Sequence, residues 1–205
     1  MVLNQRLKKY NVILASQSPR RQHLLKELGL TFEVRLGNSE DETYPQNLSY
    51  EQIPEFLARK KAEPFLSGLK INDILITSDT IVWCENSVVE KPINREDAVR
   101  ILKLLSGRKH VVVTGVAISN PLAARSFISE TDVHFRQLKD EEIDYYIDTF
   151  KPYDKAGAYG IQEWIGYIGI DRIDGSYFNV MGLPVQKLYC ELLDILNEIE
   201  KNSKQ

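Results

Sequence analysis

The alternation of short apolar segments with segments of helical spacing restricts the fold of this chain more than any other feature of its sequence. Residues 10–15 (YNVILA) and 73–78 (DILITS) have the length and apolar content of buried strands. Residues 94–105 are typical of a helix that begins after Asn94 as its N-cap and stops before Gly107. Strands that alternate with helices predict an α/β fold in which helices flank a mixed sheet.

Further segments extend this pattern over the whole chain. The other predicted strands are residues 30–36, 111–119, 126–136 and 165–173. The other predicted helices are residues 19–28, 50–65, 140–150 and 184–200. The sequence has no repeat, low-complexity block or long linker, and we therefore expect one domain over residues 1–205.

Composition and charge argue against several classes of protein. The 205 residues carry a formal net charge of −3, so no overall basic field favours nucleic acid or an anionic membrane. No apolar run approaches the ~20 residues of a membrane-spanning helix, and the first residues lack the apolar stretch of a signal peptide. Cys84 and Cys190 have no metal-ligand spacing, and we expect free thiols in a reducing cytoplasm. His23, His110 and His134 are too scattered to predict a histidine metal site.

Two arginines occupy the first turn of the helix that follows the first strand, where positive charge is disfavoured. Ser18 suits the N-cap and Pro19 the first helical position. The helix dipole is positive at this end, so Arg20 and Arg21 should each cost about 0.3–1 kcal/mol at an exposed site. A bound phosphate would turn this cost into an attraction, because guanidinium groups, backbone N–H groups and the hydroxyls of Ser16 and Ser18 all bind anions.

A second interpretation of the same arginines is that both lie in solvent and pair with acidic side chains elsewhere. The chain has neither the GxxxxGK[ST] pattern of a P-loop nor a GxGxxG pattern. This stretch alone leaves the two interpretations open.

Acidic residues follow two of the predicted strands. Asp79 comes directly after residues 73–78, and a carboxylate at that edge of a sheet can hold a divalent cation or position a water as general base. The alternative is that Asp79 only caps a turn. Glu40, Asp41 and Glu42 form either a solvated acidic loop or, together with Asp79, a metal site for a polyphosphate.

Lys61 and Lys91 are candidates to neutralise such a polyphosphate, although both also fit as ordinary surface lysines. Pro92 restricts Lys91 to extended conformations and so fixes the direction of its side chain. Gln162 lies in the glycine-rich segment 154–184, and its amide offers both a donor and an acceptor to the edge of a pyrimidine. The alternative for this segment is that its glycines only shape bends.

Five blocks of the sequence, in order, closely resemble the Maf family of nucleoside triphosphate pyrophosphatases. The blocks are LASQSPRRQHLL, SDTIV, EKP with LLSGRKHVVVTGVAI, DKAGAYGIQ, and GSYFNVMGLP, and they extend over residues 12–188. The resemblance implies an α/β fold related to the inosine triphosphatases, with a mixed twisted sheet in two lobes around a central cleft. It also implies a cytoplasmic enzyme, often a homodimer, that depends on a divalent metal such as Mg²⁺ or Mn²⁺.

The details of the blocks resemble the branch of the family that hydrolyses dTTP and UTP. These details are the SPRR form of the first block and the Gln of YGIQ. The branch that prefers 7-methyl-GTP usually has a bulky residue in place of Pro19. By this resemblance, Asp79 is the proton acceptor. The positions tied to substrate choice are Arg20, Thr80 and Gln162, and the further pocket positions are Ser16, Arg21, Lys61 and Lys91.

Three parts of the chain depart from the family pattern. The acidic loop commonly reads Asp-Glu or Glu-Glu, whereas this chain has Glu40-Asp41-Glu42. We expect the metal at Asp79, Glu40 and Asp41, but the choice among the three loop acids stays open. Ser78 stands where the family usually has Ala, and Glu163 replaces a common Gly after Gln162.

The sequence therefore supports two hypotheses of different kinds. The first is a house-cleaning enzyme that cleaves a nucleoside triphosphate into the monophosphate and pyrophosphate. The second is a nucleotide-binding regulator of cell division, with weak or no catalysis. A nucleic-acid-binding module fits the net charge of −3 poorly.

Overall fold

The computed structural model describes residues 2–37 and 42–203 as a mixed α/β structure. Its helices are α1 (Leu3–Arg6), α2 (Pro19–Glu27), α3 (Gln52–Leu66), α4 (Arg95–Leu105), α5 (Asp140–Phe150), α6 (Trp164–Gly169), α7 (Tyr177–Met181) and α8 (Val185–Asn202). Its strands are β1 (Asn11–Leu14), β2 (Glu33–Val34), β3 (Asp73–Cys84), β4 (Ser87–Val89), β5 (Lys109–Asn120), β6 (Ala123–Phe135) and β7 (Ile170–Asp174). Two 3₁₀ helices cover Leu7–Lys9 and Ala156–Ala158.

The strands pair in the order β2-β1-β3-β5-β6-β7, and β4 pairs with β3. The pairings of β1 with β2 and β3 are parallel, whereas β3 with β4 and β6 with β7 are antiparallel. The predicted α/β fold with a mixed sheet is therefore confirmed. Among the described residues, none of the helices combines the length and the apolar content that crossing a bilayer requires.

The chain divides into two compact units. Unit 1 consists of residues 1–79, 114–129 and 182–205, and unit 2 of residues 80–113 and 130–181. Strands β3, β5 and β6 each contribute residues to both units. The single domain over residues 1–205 remains a prediction.

The core of unit 1 forms around β1 and the first part of β3. Ile13 of β1 lies opposite Leu75 of β3, and both side chains are fully buried. Helix α3 packs Ala62 against these two residues, and the Thr77 hydroxyl of β3 donates a hydrogen bond to the Ala58 carbonyl of α3 at 2.6 Å. Since Lys61 precedes Ala62, this packing fixes the turn of α3 that carries Lys61.

Unit 2 begins with the hairpin of β3 and β4. Cys84 lies opposite Ser87, and the two residues between them, Glu85 and Asn86, have φ of 50° and 58°. Two left-handed residues in a two-residue turn are typical of a type I′ hairpin, whose twist matches that of the strands.

The interior of unit 2 contains a buried histidine. The Nε2 of His110 lies 2.8 Å from the Tyr159 hydroxyl, and its ring makes an edge contact with Phe135 at 5.2 Å between centroids. Burial lowers the pKa of His110 to about 3, so this imidazole is neutral near pH 7. His110 is thus part of the aromatic core of unit 2.

Several elements agree closely with the prediction. Helix α5 covers the predicted residues 140–150, and α4 begins after Asn94, whose side chain accepts the Asp97 N–H at 2.8 Å. Cys84 and Cys190 are both free, as expected. Strand β2 is shorter than the predicted 30–36, and β3 continues to Cys84, well past the predicted end at residue 78.

The prediction of a strand over residues 165–173 is wrong for its first half, which forms α6. The sequence WIGYIG is apolar and β-branched enough to resemble a strand. In the structure the chain turns tightly here, and Gly166 N donates to the Glu163 carbonyl at 2.9 Å. A Cβ at Gly166 would lie 1.9 Å from the Ile161 carbonyl oxygen, so this turn depends on glycine.

A second glycine determines how closely α3 approaches β5 within unit 1. A Cβ at Gly115 of β5 would lie 2.2 Å from the Pro54 carbonyl carbon and 2.3 Å from Glu55 N. These are backbone atoms, which cannot rotate away as the end of a flexible side chain can. Gly115 therefore permits the close packing of the helix that carries Lys61.

We predict that Gly115→Ala lowers the free energy of unfolding by about 2–3 kcal/mol, because the added methyl group forces α3 away from β5. Urea unfolding followed by circular dichroism measures this loss. Gly68→Ala is the matched control: its Cβ would meet only the Phe65 carbonyl oxygen at 3.6 Å, an ordinary contact. Equal unfolding midpoints for the two variants would contradict the close approach of α3.

Candidate active site

Two serines order the turn between β1 and α2. The Oγ of Ser18 accepts the Arg21 N–H at 3.5 Å, and Pro19 occupies the first position of the helix. The Oγ of Ser16 accepts the Ser18 N–H at 3.2 Å. Ser18 is therefore the N-cap of α2, as predicted, and its hydroxyl satisfies one of the backbone donors that a helix N-terminus leaves exposed.

Arg21 connects three segments of unit 1 that are far apart in the sequence. Its Nε donates to the Gly182 carbonyl at 2.9 Å, and its NH1 donates to the Ser78 carbonyl at 2.6 Å. Arg21 is thus directed to the residue that precedes Asp79. The interpretation that both arginines lie in solvent is wrong for Arg21.

The charges around Arg21 show how closely the predicted residues are coupled. Burial lowers the pKa of its guanidinium, the negative charge of Asp79 raises it, and the positive charge of Arg20 lowers it. An arginine remains protonated through such shifts. Arg20 lies half-buried in the same first turn of α2. Both arginines and Asp79 therefore share one electrostatic environment.

Asp79 forms the second part of this arrangement. Asp79 is 6% exposed, and its Oδ1 accepts a hydrogen bond from the Nζ of Lys61. The same Nζ lies 3.1 Å from the Oε1 of Glu42. The Lys61 ammonium group thus binds two carboxylates. One is that of Asp79 in β3, and the other is that of Glu42 in the loop before α3.

In unit 2, three segments that carry predicted site residues lie against one another. Gly157 N donates to the Glu90 carbonyl at 3.3 Å, which connects the loop of Lys91 to the segment that leads to Gln162. A Cβ at Gly157 would lie 3.1 Å from the Cγ2 of Val82, two residues after Thr80 in β3. The side chain of Lys91 is exposed, and Thr80 is half-buried.

Gln162 has a buried acceptor for which the described part of the chain supplies no hydrogen-bond partner. This atom is its Oε1. An unpaired buried amide oxygen costs about 1–3 kcal/mol, so such an atom needs an explanation. A ligand that donates a hydrogen bond would remove this cost.

Comparisons with known proteins show which family the chain belongs to. Residues 11–195 match the family model for Maf-like proteins. The chain belongs to the Maf family. The chain is 53% identical over 186 residues to the dTTP/UTP pyrophosphatase of Phocaeicola vulgatus, a match that covers 91% of this chain and 96% of the relative. The dTTP/UTP pyrophosphatase of Parabacteroides distasonis gives the same identity and coverage.

Among solved structures, this Maf protein is similar to the Ham1 protein of Staphylococcus aureus, at 15% identity and a TM-score of 0.42. That match covers 61% of this chain and 71% of the other. The fold class therefore rests on the strands and helices described above.

The structure describes only one of the three predicted metal ligands, Asp79. Glu40 and Asp41 lie outside the described residues, whereas Asp79 and the neighbouring Glu42 both contact Lys61. Within residues 2–37 and 42–203, no group of three or more His, Cys, Asp or Glu side chains could hold a metal ion. Mg²⁺ at a nucleotide typically needs only one or two carboxylates besides phosphate oxygens and waters, so Asp79 with Glu42 is a fitting donor set.

Sequence reasoning found Arg21 but missed the two carbonyls that it binds, because Gly182 lies 161 residues further along the chain. It also left Glu42 as one of three alternatives. The acidic loop itself was the signal, but only the fold shows that Glu42 reaches the ammonium group that also binds Asp79.

We predict that Arg21→Ala lowers the free energy of unfolding of this Maf protein by about 2–3 kcal/mol, since the carbonyls of Ser78 and Gly182 lose a charged donor. Lys26→Ala removes an exposed cation from the same helix and should change that energy by no more than about 0.5 kcal/mol. Guanidinium unfolding of both variants measures the difference. Equal losses would mean that Arg21 does not brace the segments around Asp79.

Proposed function

We propose that this protein hydrolyses dTTP and UTP to the corresponding monophosphate and pyrophosphate. The carrying observation is the placement of Asp79, a nearly buried carboxylate bonded to Lys61, whose charge acts on Arg21 at the N-terminus of α2. The two relatives at 53% identity are both named dTTP/UTP pyrophosphatase, which supports the same activity for this chain.

In the proposed reaction, a water oxygen attacks the α-phosphorus of the nucleotide. A new bond forms between that oxygen and phosphorus, and the bond between the α-phosphorus and the bridging oxygen to the β-phosphate breaks. Asp79 accepts the proton of the attacking water. The pyrophosphate group leaves with the electron pair of the broken bond, so no covalent enzyme intermediate is required.

Positive charge is the second requirement of this reaction, because negative charge builds up on the leaving pyrophosphate. We assign this role to Arg21, Lys61 and Lys91, with Arg20, Ser16 and Ser18 as further contacts to the phosphates. The backbone N–H groups at the start of α2 add the positive end of its dipole. Preorganised charges of this kind are commonly the largest contribution to phosphoryl-transfer catalysis.

A divalent metal, Mg²⁺ or Mn²⁺, is part of the proposal. Asp79 and Glu42 are the described residues that would hold it, and Glu40 and Asp41 remain predicted ligands outside the described part of the chain. When bound, the ion would neutralise phosphate charge and polarise the reacting phosphoryl group. The Lys61 ammonium group contacts the carboxylates of both Asp79 and Glu42. A positive charge therefore already lies beside the two proposed metal ligands.

Base selection is assigned to Gln162, with Arg20 and Thr80 as further specificity residues. Thymine and uracil both present an imide edge, with an N–H donor between two carbonyl acceptors. The unpartnered Oε1 of Gln162 can accept from this N–H, while the Nε2 of the same amide donates to a carbonyl. We further propose a cytoplasmic, homodimeric enzyme that removes unwanted nucleotides and has no nucleic-acid or membrane partner.

Incubation with UTP, Mg²⁺ and ¹⁸O-labelled water tests the site of attack. We expect uridine monophosphate that contains the label and pyrophosphate that does not, measured by mass spectrometry. Label in pyrophosphate would place the attack at the β-phosphorus. Orthophosphate as the sole inorganic product would contradict the proposed cleavage.

We predict that Asp79→Asn lowers kcat for UTP by about 10²–10⁴-fold, because the amide cannot accept the proton of the attacking water. Asp194→Asn, at an exposed carboxylate of the same unit, is the matched control and should leave kcat unchanged. Circular dichroism establishes that both variants are folded. If the wild type binds UTP tightly without turnover, the hypothesis of a nucleotide-binding regulator is favoured instead.

A further inference from the structure

The side chain of Glu163 lies next to Gln162 but does not serve the helix that it precedes. Glu163 is the N-cap residue of α6, yet its carboxylate makes no capping hydrogen bond to that helix. Its Oε2 accepts from the hydroxyl of Tyr146, and its Oε1 lies 3.2 Å from the Nζ of Lys155. The carboxylate is thus bound by Tyr146 of α5 and by Lys155 rather than by the backbone of α6.

Tyr146 is the anchor for one of these contacts. It is fully buried on α5 and stacks on Phe150 with 5.1 Å between ring centroids. Its hydroxyl donates to Glu163 and at the same time accepts the Gly160 N–H at 3.0 Å. Burial, and then the hydrogen bond to Glu163, raise the pKa of Tyr146, so the phenol remains a donor. A single rigid side chain therefore holds both ends of the turn formed by residues 160–163.

Lys155 is the anchor for the other contact. It is 8% exposed, and its ammonium group lies between Glu163 and the Oδ1 of Asp154, at 3.2 Å and 2.7 Å. A lysine so nearly buried needs charged partners, because an unpaired ammonium in this position would be costly. Glu163 provides one of these partners.

The turn itself is closed and compact. Glu163 N donates to the Gly160 carbonyl at 2.9 Å. A Cβ at Gly160 would lie 2.8 Å from the Cδ of Glu163 and 3.0 Å from the Nε2 of Gln162. The carboxylate and the amide therefore both lie close to Gly160, where the turn begins.

We propose that Glu163 is a positioning residue for base selection: it ties the turn of residues 160–163 to Tyr146 and Lys155 and so fixes the Gln162 amide for the imide edge of uracil or thymine. This inference rests on the proposed function. On this proposal, the contacts of Glu163 fix the direction of the Gln162 Oε1, which is buried and has no hydrogen-bond partner among the described residues.

The test compares UTP with N3-methyl-UTP, which has the same triphosphate but lacks the N–H that Gln162 is proposed to bind. For the wild type we expect kcat/KM to favour UTP by at least about tenfold. In Glu163→Ala this preference should fall by about three- to tenfold, the value of one well-placed hydrogen bond, through KM for UTP and with kcat nearly unchanged. A purely structural role would lower the activity on both nucleotides equally and leave the preference intact.

Two further variants make the result decisive. Asp148→Ala removes an exposed acid of α5 that binds Arg95, and it should keep the wild-type preference. Should Glu163→Ala fail to fold, Tyr146→Phe removes the hydroxyl that holds the turn, and it should lower the preference in the same direction. An unchanged preference in the folded variant overturns the inference, and so does a wild type that uses both nucleotides equally well. A wild type that releases no pyrophosphate from UTP refutes the proposed function, and the inference fails with it.

Discussion

The carboxylate of Asp79 pairs with the Lys61 ammonium group and interacts electrostatically with the Arg21 guanidinium group. The elements of unit 1 that carry these three residues must therefore pack in a defined way. Lys61 reaches Asp79 from α3. Burial lowers the pKa of Arg21 at the start of α2, and the negative charge of Asp79 partly offsets that lowering. These elements are separate in the sequence, so their packing must be accurate if the charges are to compensate one another. A nearly buried carboxylate without such partners would be strongly unfavourable. The part of β3 that carries Asp79 is therefore stable only when α2 and α3 are both in place.

The same arrangement explains why Arg21 occupies a helix N-terminus that disfavours positive charge. Arg21 gains two main-chain carbonyls and the field of Asp79, which offset the effect of the helix dipole. It serves the fold as well as the proposed chemistry. Such double use is common where a charged side chain must be both positioned and available to a ligand. The phosphate proposal for the two arginines is thus compatible with a structural role for one of them.

For unit 2 we propose a different role, that of holding the uncharged amide of Gln162 in a defined direction. Gly157 and Ala158 both have positive φ, 74° and 56°, and a left-handed alanine costs about 1 kcal/mol. The chain thereby turns sharply before it reaches Gln162. Tyr146 and Lys155 then fix the turn from two sides through Glu163. Strain and buried polar contacts are concentrated at the segment to which base selection is assigned, as at many functional sites.

Local signals in the sequence were sufficient where the physical cause is itself local. The N-caps Ser18 and Asn94 and the limits of α5 could be predicted, because capping and helical periodicity depend on neighbouring residues. The family blocks likewise predicted site roles for Asp79, Arg21, Lys61 and Gln162, and these roles stay predictions. The strand predicted over the start of residues 165–173 was wrong because a tight backbone contact, permitted by Gly166, outweighs β propensity.

The sequence by itself thus determined the α/β class, the helix ends and the residue types available for chemistry. Only the tertiary structure decided which of these residues meet: that Arg21 binds the Gly182 carbonyl, that Glu42 shares Lys61 with Asp79, and that Glu163 faces Tyr146 and Lys155. The reason is physical. Each of these contacts joins residues that are distant in sequence, and their energies depend on burial and direction, which exist only once the chain has folded.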